Sequence, residues 1–269
     1  MLRKGRLIKV KEWGRYCNEI KVCEEAQRGI EAGTEFLLRT DKNGFIITGN
    51  QEIPGESLAV LGDSFTECLF VRERLRFCSV CERILRRSYS PSLSVLNAAM
   101  SGANIFHCNI TLLAKIVPLR PKFVLLCLPS IDDKTLRMPD GYWNSDKNVS
   151  IFYDPSFDRE LLLQSANYAD GGYLAMIKLF FNILDAFSLR GAVCLRPFYR
   201  LNDRRHEMNG LARDFCRKNG YPCIELNMGN KDIVEKMFYD NIHLNQSGSV
   251  LFGCKLAAEL LRNNFLADS

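Results

Sequence analysis

Five short, nearly unbroken apolar runs punctuate the chain: Leu58–Leu61, Leu93–Asn97, Phe123–Leu128, Ala192–Arg196 and Cys223–Leu226. Runs of this length, often β-branched and without an alternating polar face, predict strands covered on both sides. Between them, apolar positions recur at helical spacing. This predicts helices over Phe77–Arg87, Asn104–Val117, Tyr173–Leu189, His206–Lys218 and Asn245–Arg262. Leu119-Arg120-Pro121 and Arg190-Gly191 carry stop signals just before a strand. Strand and helix alternating in this way imply a parallel sheet with right-handed crossovers and helices on both faces. The expected fold class is α/β, a three-layer α/β/α sandwich around a parallel five-stranded sheet.

Two regions fall outside that alternation. Residues 1–50 read as an N-terminal extension packed on a domain of residues 51–269. The extension is expected to hold a helix over Cys17–Ala32 and a turn at Asp41-Lys42-Asn43-Gly44. Asp132–Gly172 is a long connection containing Tyr142, Trp143, Phe152, Tyr153, Phe157 and Tyr168. Loops beyond about 12–15 residues in compact domains often serve as lids or binding loops. Its aromatics suit either stacking on a sugar or acyl group or pinning the loop to the core.

Chemistry enters where the first apolar run ends. Leu58-Ala59-Val60-Leu61 breaks at Gly62-Asp63 and delivers Ser64 into the turn leading to Phe65-Thr66-Glu67. Far downstream stands Asp240-Asn241-Ile242-His243-Leu244-Asn245. Of the three histidines, His107, His206 and His243, His243 has Asp240 three residues before it and a helix start just after it. Glycine, aspartate and serine after a strand are also ordinary turn and cap residues. Together, though, the segments supply a nucleophile (Ser64), a base (His243) and an orienter (Asp240). Ligands of open parallel sheets bind beyond the carboxyl ends of the strands, where all these loops are expected to meet.

Gly62-Asp63-Ser64 with Asp240-x-x-His243 resembles the SGNH (GDSL) hydrolase superfamily, over roughly Leu58 to Leu261. Gly62 to Thr66 is similar to the first block of that family and Asp240 to His243 to the last. Asn97-Ala98-Ala99-Met100-Ser101-Gly102 resembles the second, whose glycine donates a backbone N–H to the oxyanion. The resemblance implies a flavodoxin-like sheet, a triad of Ser64, Asp240 and His243, and an oxyanion site formed by the N–H groups of Ser64 and Gly102. No cofactor and no metal are expected. Phe36-Leu37-Leu38-Arg39-Thr40-Asp41-Lys42-Asn43-Gly44-Phe45 also resembles the lead-in of a bacterial subgroup linked to surface-polysaccharide modification.

The third block departs from the pattern. The family reads Gly-x-Asn-Asp there, and its asparagine side chain donates to the oxyanion. This chain has Pro129-Ser130-Ile131-Asp132, and isoleucine has no donor. Losing one such donor typically costs about 10²–10³ in turnover. Ser130 and Asn104 are the candidate replacements.

Composition narrows the rest. The 269 residues are 47% hydrophobic and 25% charged, enough for one sizeable core. The excess of 36 basic over 31 acidic residues is mild, and no nucleic-acid motif accompanies it, so no nucleic-acid partner is expected. Arginines cluster at 72, 74, 76, 83, 86 and 87, and again at 196, 200, 204 and 205. They read as a solvated helix face and a polar loop, or as a contact for an anionic acyl donor or acidic glycan. Eleven cysteines, an odd count scattered through apolar segments, argue against a disulfide framework. Cys78-x-x-Cys81 lacks the further ligands of a zinc site.

The basic N-terminus is followed by no signal-peptide core, and no run approaches the ~20 apolar residues of a membrane span. A cytoplasmic protein is expected. The reading is a serine esterase that cleaves an acyl, first an acetyl, ester on a carbohydrate or small molecule through an acyl-Ser64 intermediate. Two alternatives stand beside it: an O-acyltransferase using the same triad, and an SGNH-fold binding protein weakened at Ile131.

Overall fold

Two short strands come first: β1 (Trp13–Cys17) pairs antiparallel with β2 (Glu35–Arg39). The five apolar runs then form β3 (Ser57–Leu61), β4 (Ser94–Asn97), β5 (Phe123–Cys127), β6 (Gly191–Leu195) and β7 (Cys223–Glu225). They make one parallel sheet in the order β4-β3-β5-β6-β7. This is a computed structural model, and it describes residues 13–17, 30, 34–49, 56–136, 141–143, 166–198 and 204–267. The helices are α1 (Ser64–Glu67), α2 (Phe77–Ser88), α3 (Ile105–Thr111), α4 (Asp132–Leu136), α5 (Ala166–Ala186), α6 (Arg204–Asn219), α7 (Lys231–Glu235) and α8 (Gln246–Arg262).

The period-2 alternation of strand side chains divides the interior into two cores. On one face Ala59, Leu61, Val124, Leu126 and Val193 pack against Ile105, Phe180 and Ala212 from α3, α5 and α6. On the other, Leu58, Val60, Phe123 and Leu125 pack against Phe77, Cys81, Phe252 and Leu256 from α2 and α8. The expected three-layer sandwich is therefore the observed one, with its five strands and main helices where the apolar pattern put them.

The departures have local causes. The helix expected over Asn104–Val117 is α3 followed by a π-helical turn at Leu112–Ile116 and a 3₁₀ turn at Val117–Leu119. Pro118 has no N–H to continue the α-helical ladder. Helix α5 starts at Ala166 rather than Tyr173, because Asp170-Gly171-Gly172 runs through it instead of breaking it. A helical glycine costs only about 1 kcal/mol, which packing overrides. Two of the clustered arginines, Arg76 and Arg196, are not on a solvated surface but are 1% and 2% exposed. Arg76 is held by the carbonyls of Leu37 and Cys68.

Residues 34–49 lie against the β4 edge. The Ile46 N–H donates to Asn97 O at 2.9 Å, and Thr48 Oγ1 donates to Val95 O at 3.0 Å. The Asp41–Gly44 turn forms as expected, with Gly44 at φ 80° and its N–H on Asp41 O. Cys17 closes β1, while most of the helix expected over Cys17–Ala32 lies outside the described residues. So do Phe152, Tyr153, Phe157 and the side chains of Trp143 and Tyr168. Among the described residues, no helix is long and apolar enough to cross a membrane.

Candidate active site

Strand β3 reaches the carboxyl edge of the sheet and turns sharply at Gly62. A Cβ there would stand 2.2 Å from Thr66 Oγ1 and 3.2 Å from Cys127 O, so only glycine fits. Asp63 then caps α1, its Oδ1 accepting the Phe65 N–H at 3.0 Å. This places Ser64 at the first helical position, with its side chain at the sheet edge.

The second segment arrives from the loop before α8. Asp240 Oδ1 accepts the N–H groups of Ile242 and His243 at 2.7 and 2.6 Å, which folds the segment into a tight turn. Asn245 caps α8 through the Gly248 N–H and fixes the exit of that turn. Tyr239 stacks on the His243 ring with the two planes 12° apart. Asp240 Oδ2 lies 2.6 Å from His243 Nδ1, and His243 Nε2 lies 2.7 Å from Ser64 Oγ. Burial pushes the Asp240 carboxyl up, but the imidazole and the two backbone N–H groups outweigh it, and it ends below its ordinary value. Ser64, Asp240 and His243, 179 residues apart at the extremes, thus form one hydrogen-bonded chain.

Gly102 sits on the neighbouring loop at φ 77°, the left-handed region that favours glycine. The preceding residue anchors that loop. Ser101 gives both its N–H and its hydroxyl to the Glu67 carboxylate, at 2.9 Å for the N–H. Glu67 is the last residue of α1 and is fully buried, so α1 and the Gly102 loop are tied directly together.

No family model and no curated protein matches the chain. Solved structures do match it. An acetylxylan esterase from Geobacillus stearothermophilus superposes with a TM-score of 0.53 at 14% identity, over 80% of this chain and 95% of that one. A G-D-S-L family protein from Desulfitobacterium hafniense gives 0.52 at 9% identity, over 76% and 99%. A lipase/acylhydrolase from Enterococcus faecalis gives 0.51 at 14% identity, over 78% and 97%. The fold is that of the SGNH hydrolases.

Within that fold, the departing third block has its own architecture. Ser130 donates both its N–H (2.7 Å) and its hydroxyl (2.8 Å) to Asp63 Oδ2. Its one hydroxyl proton is thereby committed, so Ser130 is not the replacement oxyanion donor. Asn104 is buried at the start of α3, where its Oδ1 accepts the His107 N–H in a capping box. Asp132 is also buried, and its Oδ1 accepts from Tyr142 Oη at 2.5 Å and from the Ile105 N–H at 3.1 Å. Burial pushes its carboxyl up to about 7 against those hydrogen bonds. Burial likewise pulls His107 down to about 4, so it serves as a neutral cap rather than a charged base.

Arg196, at the end of β6, completes the support. Its Nη1 pairs with Asp63 at 3.0 and 3.2 Å. The supporting role of Glu67 escaped sequence reading, and Arg196 was read only as one of an arginine cluster for solvent or an anionic ligand, since a single acid or arginine at a strand or helix end carries no pattern. The usable signal was that both stand among apolar residues, where an unpaired charge is costly. Among the described residues, no group of His, Cys, Asp and Glu side chains is arranged to hold a metal ion.

Proposed function

We propose that the protein is an SGNH-type serine esterase acting through an acyl-Ser64 intermediate. The observation that carries this reading is the continuous relay from Ser64 Oγ to His243 Nε2 and from His243 Nδ1 to Asp240 Oδ2, at 2.7 and 2.6 Å. Asp240 holds the imidazole so that Nδ1 keeps its proton and Nε2 is free to accept one. As Ser64 Oγ attacks the ester carbonyl, its proton passes to Nε2. The carbonyl oxygen becomes an oxyanion, and the N–H groups of Ser64 and Gly102 are assigned to it. Collapse expels the alcohol, which takes the proton from His243. Water repeats the sequence and releases the acid.

An acetyl ester on a carbohydrate is the first substrate class, in keeping with the acetylxylan esterase among the matching structures. The likeness of residues 36–45 to the lead-in of the surface-polysaccharide subgroup points the same way. The free thiols of the described cysteines fit a reducing, cytoplasmic setting. If an alcohol replaces water in the second half, the same triad makes an O-acyltransferase; product analysis with a glycan acceptor present distinguishes the two.

A second reading, an SGNH-fold binding protein, draws on Ile131 and on the commitment of Ser130 to Asp63. Labelling with a serine-directed fluorophosphonate decides between these readings. The wild type is expected to label at Ser64 and to hydrolyse aryl acetates. Ser64→Ala should lose both with thermal unfolding nearly unchanged. No labelling and no turnover by the wild type would give precedence to the binding protein.

A further inference from the structure

Three arginines in this protein allow a direct comparison. Arg39 presents the Nε–Nη2 edge of its guanidinium to both oxygens of Glu73, and Arg213 presents the same edge to both oxygens of Glu225. That planar fork matches a carboxylate, and such bidentate pairing is the strongest neutral-pH contact an arginine makes with one. Arg196 is different. Its Nη1 is taken by Asp63, while Nε and Nη2, the same recognition edge, have no hydrogen-bond partner. The residue is only 2% exposed. Burial lowers the guanidinium from its usual value, and Asp63 opposes the shift. Buried donors are almost always satisfied, so an empty fork calls for an explanation.

The surroundings supply one. Arg196 lines a crevice of about 520 Å³ beyond the carboxyl ends of β6 and β7. Asn209, His206 and Arg213 of α6 form one wall, and Glu225 to Gly229 form the other. Among the described residues, the one acid in that lining is Glu225, which is already matched by Arg213. Phe198 lines the crevice too, with the Arg196 guanidinium 5.1 Å and the Arg205 guanidinium 5.5 Å from its ring centre. Nε and Nη2 are themselves sealed from solvent, so a ligand in the crevice reaches them only when a neighbouring group moves. Arg196 links the crevice to the Ser64 segment, because its Nη1 holds Asp63, the residue before Ser64.

We infer that this crevice is a subsite for a carboxylate, taken bidentately by the Nε–Nη2 edge of Arg196, and that the ester substrate is carried on an acidic sugar. The carboxylate subsite stands on the crevice itself; its role as part of a substrate site rests on the esterase reading. A neutral sugar leaves the fork empty, whereas a uronic acid presents a planar carboxylate at the distance of one ring from its hydroxyls.

The test uses the full chain carrying Ser64→Ala, so that binding is read without turnover. D-glucuronate, its methyl ester, D-glucose and inorganic phosphate are titrated separately by calorimetry, with the thermal midpoint followed in parallel. Glucuronate is expected to bind and raise the midpoint, while the methyl ester and glucose do neither. In Arg196→Lys, which keeps a charge for Asp63 but has no fork, glucuronate should bind at least ~10-fold more weakly. Equal responses to glucuronate and its methyl ester overturn the inference whether or not Arg196→Lys folds. Phosphate binding more tightly than glucuronate overturns the carboxylate assignment. Hydrolysis of aryl acetates by the wild type is measured separately. An active esterase that ignores glucuronate refutes the subsite alone, and an inactive protein that binds it refutes the esterase alone.

Discussion

Two aspartates serve Ser64, and they live in opposite surroundings. Asp240 is about a third exposed, at 31%, and spends one oxygen on the His243 ring and the other on its own turn. Asp63 is buried, and its oxygens are shared among the Phe65 and Ser130 N–H groups, the Ser130 hydroxyl and Arg196. The first arrangement leaves the carboxylate partly open to solvent while it holds the imidazole. The second saturates a carboxylate so completely that it has no chemistry left, only grip. In the proposed enzyme, the difference separates the side of Ser64 that reacts from the side that holds.

Substituting each aspartate by its amide tests that division. Asp240→Asn should present an N–H to His243 Nδ1, force the wrong tautomer, and cut turnover by about 10⁴ while barely changing the thermal midpoint. Steady-state kinetics and a melting curve on one preparation check both halves. Asp63→Asn should do the reverse. It leaves Arg196 charged and buried without its partner, a loss of about 3–5 kcal/mol of stability measurable by urea denaturation. Equal stability losses in the two variants would erase the distinction.

Ile131→Asn sharpens the holding side. If that loop lacks only a donor, the amide should raise aryl acetate turnover, by at most the 10²–10³ that one donor is worth. A smaller gain is expected, because Ser130 and Asp63 keep the loop where it is. High wild-type turnover would show that no donor was missing.

A separate effect, read through pH, concerns Asp132. Its folded carboxyl titrates near 7 against an ordinary 3.8, so folding favours the protonated form. That contribution is complete below the ordinary value and is lost as pH rises through about 7. Wild-type stability should therefore fall relative to Asp132→Asn between about pH 4 and about pH 7. Parallel melting curves across that range would contradict the assignment.

Much of this was legible in the chain. The strands announced themselves because a fully covered parallel strand must be apolar on both faces, as Phe123–Cys127 is. Ser64, Asp240 and His243 were visible because a serine after a strand and a short Asp-x-x-His turn are local patterns. What escaped was non-local. Nothing in sequence says that Glu67 reaches Ser101, or that Arg196 crosses from β6 to Asp63, because those contacts depend on which strands become neighbours. Nor did the composition of Asp170-Gly171-Gly172 reveal that packing would carry α5 through it.

The grip of Asp63 on Ser130 has one more consequence. The third loop is fastened by the backbone and hydroxyl of Ser130, and the Ile131 side chain makes none of these contacts. Ile131 joins that architecture through its backbone, its carbonyl accepting from Thr135, and not through its side chain. A saturation library at this single codon would sample oxyanion chemistry directly, with the scaffold held constant, and variants there would differ in rate far more than in folding.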